Sequence, residues 1–139
     1  MTNLERAVEK MQDMQSIEDY LETILLLSKT SEKIKNVDIV NATGYSKPSI
    51  SIAMKKLKDK NYINISNGEI TLTKLGKEIA TNVYSHHKTL YNWLISIGVS
   101  SENAEKDACK MEHNISNESF LAIKRSCEFC RCNSCNKGV

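Results

Sequence analysis

Three residue types that bind metals stand together in ACKMEH, residues 108–113: Cys109, Glu112 and His113. On a helix, positions i, i+3 and i+4 project from one side, so a thiolate, a carboxylate and an imidazole can converge on one cation. Alone the spacing says little, because a helix-surface glutamate is normally solvated and a cysteine is often a small buried hydrophobe. Two further sets point the same way. Asp19 and Glu22 stand three apart in an apolar-periodic run, and His86 and His87 fall inside an apolar stripe running from Val83 to Leu90. One of these histidines must face the interior, where an imidazole needs a partner. Each feature also has a plain reading: Asp19 as a helix-capping acid, Glu22 as a surface charge, His87 as a satisfied core histidine. Taken together, two acids, a histidine and a Cys-Glu-His set fit a cation site.

These side chains need elements to hold them. Ser16 looks like an N-cap with Asp19 at the third helical position, so we expect a short charged helix over 3–14 and a separate one over 17–29. The second carries Ile17, Tyr20, Leu21, Ile24, Leu25 and Leu27 on one stripe. Residues 35–43 form a short helix that Gly44 stops. In YSKPSISIAMKKLKDKNY, Ser46 caps a helix, Pro48 occupies its first turn, and Ile50, Met54 and Leu57 face inward as far as about Lys60. YINISNGEITL alternates apolar and polar residues on both sides of Asn67–Gly68, a two-residue hairpin signal. Thr73 then caps a long helix to about Ile97, and Gly98 ends it. Two more helices are predicted, one from near Ser101 and one over Asn117 to Phe129. We expect Leu90, Trp93, Leu94, Ile97 and Val99 to form either a dimer surface or intrachain core.

Helix, short helix, proline-capped basic helix and hairpin is the order of a winged helix-turn-helix, whose third helix enters the DNA major groove. Charge agrees. Residues 33–77 carry nine lysines against Asp38, Asp59 and Glu69, net +6, while residues 1–32 are net −4 and the whole chain only +2. A basic middle between acidic flanks suits a polyanion partner. Ser46, Lys47, Pro48, Ser49 and Ser51 lie where side chains meet base edges or phosphates. Lys55, Lys56 and Lys58, with Asn67 at the wing tip, are placed for the backbone, which gives affinity without sequence choice. No arginine is present here to read guanine bidentately, so the target sequence is not legible.

The chain resembles the diphtheria-toxin-repressor / manganese-transport-regulator family of metal-dependent repressors. SIEDYLETI resembles the family's opening helix, KPSISIAMKKLKDKNYI its recognition helix and LTKLGKEIA the start of its linking helix. SHHKTLYNWLISIGV and ACKMEHNIS resemble its metal-binding and dimerisation segment. The resemblance implies a mostly α protein: a winged helix-turn-helix DNA-binding domain over 1–75, then a helical metal-binding and dimerisation domain over 76–126. It implies a homodimer that binds double-stranded DNA at a palindromic operator when loaded with Fe(II) or Mn(II), and controls metal-homeostasis genes. The metal ligands it implies are Asp19, Glu22, His87, Cys109, Glu112 and His113. Asp19 and Glu22 match the manganese branch, whereas Cys109 matches the iron branch, where manganese regulators have a glutamate. Tyr91 replaces a glutamate of the iron branch's ancillary site. The SH3-like third domain of longer members is not expected in 139 residues.

A Cys-rich tail over 127–139 follows, and its CEFCRCNSC, 127–135, places Cys127, Cys130, Cys132 and Cys135 outside the family pattern. Two C-x2-C pairs usually need a longer spacer to wrap one zinc. The cluster is open to three readings: zinc or an iron–sulfur cluster, a redox sensor, or a frayed reduced tail. A charged N-terminus resembles no leader sequence, and no run approaches the roughly 18 apolar residues of a membrane span, so a cytoplasmic protein with no membrane partner is expected. An enzyme is not: a small zinc hydrolase built on Cys109, His113 and His87 would leave the winged helix idle, and there is no H-E-x-x-H, phosphate loop or nucleophile elbow. The remaining rival is a winged-helix regulator that senses redox state or an iron–sulfur or zinc centre through its cysteines.

Overall fold

The computed structural model describes residues 2–135, with the side chains of 8–15 and 128–135 outside that description. The chain forms two compact units, 1–82 and 83–139.

The first unit opens with α1 (Asn3–Ser28), capped by Thr2, whose hydroxyl accepts from the Glu5 backbone while the Glu5 carboxylate accepts from the Thr2 backbone N–H at 2.6 Å. The expected break at Ser16 does not occur. Residues 3–28 contain neither glycine nor proline, and once a helix is nucleated each further residue adds a bond, so Ser16 is carried through as an interior position. Asp19 therefore caps nothing. Helix α2 (Asn36–Thr43) ends at Gly44, whose φ of +76° closes the turn, and α3 (Lys47–Asp59) starts where the Ser46 hydroxyl accepts from the Ser49 N–H, with Pro48 in the first turn. Tyr20 packs edge-on against Tyr45, holding α1 to the turn before α3.

Strands β1 (Ile63–Ser66) and β2 (Glu69–Leu72) pair antiparallel with Ile63 opposite Leu72 and Ile65 opposite Ile70. Asn67 and Gly68 both take positive φ at the tip, as a two-residue hairpin of this twist requires. The Ile70 N–H also bonds the Ile34 carbonyl at 2.7 Å, a bridge from the segment before α2 that the local pattern does not announce. Leu21, Ile24, Ile39, Ile50, Met54, Leu57, Ile63 and Ile70 are fully buried, each contributing roughly 1.5–3 kcal/mol by leaving water. Helix α4 (Lys74–Ser96) is tied to the hairpin by Thr73, whose hydroxyl donates to the Asn61 carbonyl and accepts from the Gly76 N–H. Gly76 has no room for a Cβ, which would meet the Tyr62 carbonyl.

In the second unit the end of α4 packs with α5 (Ser101–Asn114) and α6 (Asn117–Cys135). Gly98, at φ +101°, turns the chain, and the Ser100 hydroxyl caps α5 through the Asn103 N–H. Leu90, Leu94, Ala104, Ala108 and Phe120 form the core, so of the five residues expected at a dimer surface or in the core Leu90 and Leu94 are intrachain core, Trp93 and Val99 are half-buried against it, and Ile97 stays 59% exposed. The small Ala104 and Ala108 let the helices approach closely. With no glycine or proline in 117–135, α6 runs past Phe129 to Cys135.

Candidate metal centre

On α5 the buried stripe Ala104, Ala108, Glu112 steps four residues at a time and ends in a carboxylate. The Glu112 side chain is 0% exposed. Its Oε2 lies 3.0 Å from His87 Nδ1 on α4. Its Oε1 lies 3.1 Å from His113 Nε2, but that approach lacks hydrogen-bond geometry and leaves Oε1 buried with no hydrogen-bond partner. Burial pushes the Glu112 carboxyl up, yet the neighbouring His113 and His87 outweigh it and hold the group below the usual carboxylate range. Hydrogen bonds to Cys109 and Glu112, together with the charges of Glu112 and Glu105, push His87 up to about 11 against the opposing effect of burial.

His87, Cys109 and Glu112 each offer a donor atom within 4.8 Å of the other two. An imidazole, a thiol and a wholly buried carboxylate suit a divalent transition ion, and the unpartnered Oε1 leaves that carboxylate with a further electron pair to give. The doublet of histidines divides its work. His87 joins this set, while the His86 ring stacks on Phe120 at 3.9 Å. Asp19 and Glu22 are both half-buried on α1 of the first unit, and the Thr23 hydroxyl bonds the Asp19 carbonyl at 2.8 Å. Tyr91 packs against the core of the second unit. Cys127 is half-buried; the side chains of Cys130, Cys132 and Cys135 lie outside the described residues.

The first unit presents a second surface. Ser46, Lys47, Pro48, Ser49, Ser51, Lys55, Lys56, Lys58 and Asn67 are all exposed, although the Ser46 hydroxyl is engaged with Ser49. Sequence reasoning passed over Ile52, 66% exposed on the same helix. Its signal was available, since it falls off the Ile50–Met54–Leu57 stripe. Glu105 was also missed; its Oε1 lies 2.9 Å from His87 Nε2.

Two family profiles cover nearly the whole chain. Residues 12–68 match the iron-dependent repressor N-terminal DNA-binding domain, and residues 73–137 match the iron-dependent repressor metal-binding and dimerisation domain. An HTH-type transcriptional regulator of Methanocaldococcus jannaschii is 34% identical over 113 residues, 79% of this chain and 90% of that one. The chain belongs to the diphtheria-toxin-repressor / manganese-transport-regulator family. Its members are transcriptional regulators rather than enzymes, and the observed architecture, winged helix-turn-helix then helical dimerisation domain, is the family's. The transcriptional regulator MntR of Escherichia coli is 30% identical over 120 residues, 86% of this chain and 77% of that one. The solved structure of the manganese regulator SloR superposes with a TM-score of 0.72 at 26% identity, over 81% of this chain and 54% of that one. The chain thus spans about half the length of that solved relative. Among the described residues, no helix is long and apolar enough to cross a membrane.

Proposed function

We propose that this chain is a repressor whose affinity for DNA is set by Fe(II), with Mn(II) as the alternative effector, and that as a homodimer it binds palindromic operators of metal-homeostasis genes. The observation that carries the reading is the convergence of His87, Cys109 and Glu112, whose carboxylate is wholly buried and keeps one oxygen, Oε1, without a hydrogen-bond partner. The family resemblance supplies His113 and, from the first unit, Asp19 and Glu22 as further ligands. A thiolate beside an imidazole is softer than manganese prefers and suits Fe(II). The bound ion would supply fixed positive charge to a set of acids that otherwise repel one another.

In a metal-dependent repressor, metal and DNA affinity are linked quantities, each raising the other by the same factor. In the reading head, Lys55, Lys56, Lys58 and Asn67 contact phosphates, and the Ser46–Ser51 end of α3 meets bases. The test is fluorescence anisotropy of operator DNA, selected from a random pool, under anaerobic conditions with Fe(II), Mn(II) or chelator. Tight binding with Fe(II) and its loss on chelation support the proposal. Equal affinity in all three would refute it, and binding that answers to Mn(II) alone would overturn the choice of iron.

A further inference from the structure

Glu105 is an exposed glutamate on α5, its side chain 64% accessible, with every opportunity to extend into water. Instead its Oε1 lies 2.9 Å from His87 Nε2, while the opposite ring nitrogen, Nδ1, lies 3.0 Å from Glu112 Oε2. The His87 ring is thus held at both edges by carboxylates from one helix, seven residues apart, with Cys109 between them in sequence. The two carboxylates differ in kind. Glu112 is wholly buried and has a second oxygen lacking a hydrogen-bond partner, and it belongs with Cys109 to the set of converging donors. Glu105 belongs to no such set among the described residues and faces solvent.

We infer that Glu105 is a positioning residue: it accepts the Nε2–H of His87 and thereby leaves Nδ1, on the Glu112 side, as the nitrogen that binds the metal. An imidazole has one donor and one acceptor nitrogen when neutral, and the hydrogen bond made by one decides which role the other takes. A carboxylate behind a metal-bound histidine fixes both the tautomer and the ring orientation and makes the ligating nitrogen more basic. The two nitrogens point away from opposite edges of the ring, so an ion at Nδ1 lies across the ring from Glu105 and does not bind it. The inference rests on the metal-dependent reading given above.

The experiment uses the full chain loaded with Zn(II), a diamagnetic probe, and has two parts. Imidazole 15N NMR of the loaded protein should show His87 Nε2 carrying a proton and Nδ1 shifted by the metal. The reverse pattern would overturn the assignment. Glu105→Ala should then weaken Zn(II) binding about 10- to 100-fold at unchanged stoichiometry, and Glu105→Gln, whose side-chain carbonyl can accept the same N–H, should recover most of the loss. Glu105→Ala with wild-type affinity would show an idle surface interaction, and Glu105→Gln as weak as Glu105→Ala would mark Glu105 as a direct ligand; either overturns the proposal. Wild-type protein that binds no Zn(II), Fe(II) or Mn(II) would instead refute the metal-dependent reading, and the positioning role with it.

Discussion

Glu112→Gln separates what the centre contributes without metal from what it contributes with it. In the metal-free protein the substitution removes a fully buried charge and its pairing with His87. Orphaning a buried charge costs about 3–5 kcal/mol, but here the imidazole can release its proton and keep Glu105 as a partner. We therefore expect a smaller loss, about 1–3 kcal/mol, the usual cost of a buried hydrogen-bond partner removed. With metal the comparison changes. Losing an outer-sphere partner weakens metal binding by about 10- to 100-fold, so losing a buried anionic ligand should cost at least about 100-fold. At a free metal concentration 100 times the wild-type Kd, the wild type gains about 2.7 kcal/mol of stability. The same concentration would only equal the Kd of Glu112→Gln, which gains RT ln 2, about 0.4 kcal/mol. Urea unfolding followed by circular dichroism, with buffered anaerobic Fe(II) or with Co(II) as a surrogate, reads both increments. A metal increment in Glu112→Gln equal to that of wild type would show that the ion binds elsewhere, and the reasoning from the buried oxygen would fail.

Cys109→Glu should turn preference from Fe(II) toward Mn(II), because a carboxylate replaces the one soft donor; competition titrations with the two metals read the shift. His87 keeps its proton to about pH 11 in the metal-free fold but only to about 6.5 in an unfolded chain. The stabilisation from that charge is therefore complete below about pH 6.5 and declines as pH climbs toward 11, so urea midpoints of metal-free wild type should fall more steeply from pH 6.5 to 9 than those of His87→Gln. Gly76→Ala drives a Cβ into the Tyr62 carbonyl, a backbone atom with nowhere to move, and should destabilise the first unit by about 1–3 kcal/mol despite alanine's better helix propensity; an unchanged unfolding midpoint would contradict it. Lys55→Gln with Lys56→Gln should reduce the salt dependence of operator binding by about 0.9 in the log–log slope for each phosphate no longer neutralised, as anisotropy across a salt series would show.

What the sequence discloses follows from how local its cause is. Gly44, Gly98 and the Asn67–Gly68 pair stand at positive φ, where few other residues are comfortable, and Pro48 fits only near a helix start. These residues mark element ends through their own backbone chemistry, so the winged helix-turn-helix is legible before any packing is known. Ser16 misleads for the complementary reason. Its capping potential is real, but a cap acts only where a helix begins, and a sequence with no breaker over 3–28 begins once, at Thr2. The Ile34–Ile70 bridge depends on two segments 36 residues apart meeting, and nothing in either segment states it. Leu90 and Leu94 show the same limit: an apolar stripe says that a face will be covered, not whether a second copy or the chain's own α5 and α6 will cover it.

The metal centre divides along this line. Cys109, Glu112 and His113 are legible because helical phase alone brings them to one side. Glu105 shares that phase, four residues before Cys109 and seven before Glu112, and was still missed. Phase could not have picked it out, because Glu102 falls near the same side of α5 and has the same chemistry. Glu102 pairs with Lys106 at 3.3 Å, an exposed i, i+4 ion pair worth little, whereas Glu105 holds His87. The two are separated by three residues, about 4.5 Å along the helix axis. Phase selects the face, but only the level of His87 on α4 against α5 selects which glutamate on that face has a task. That level is fixed by Leu90, Leu94, Ala104 and Ala108 packing together, so the assignment of Glu105 is a property of the core that becomes readable only once the helices are docked.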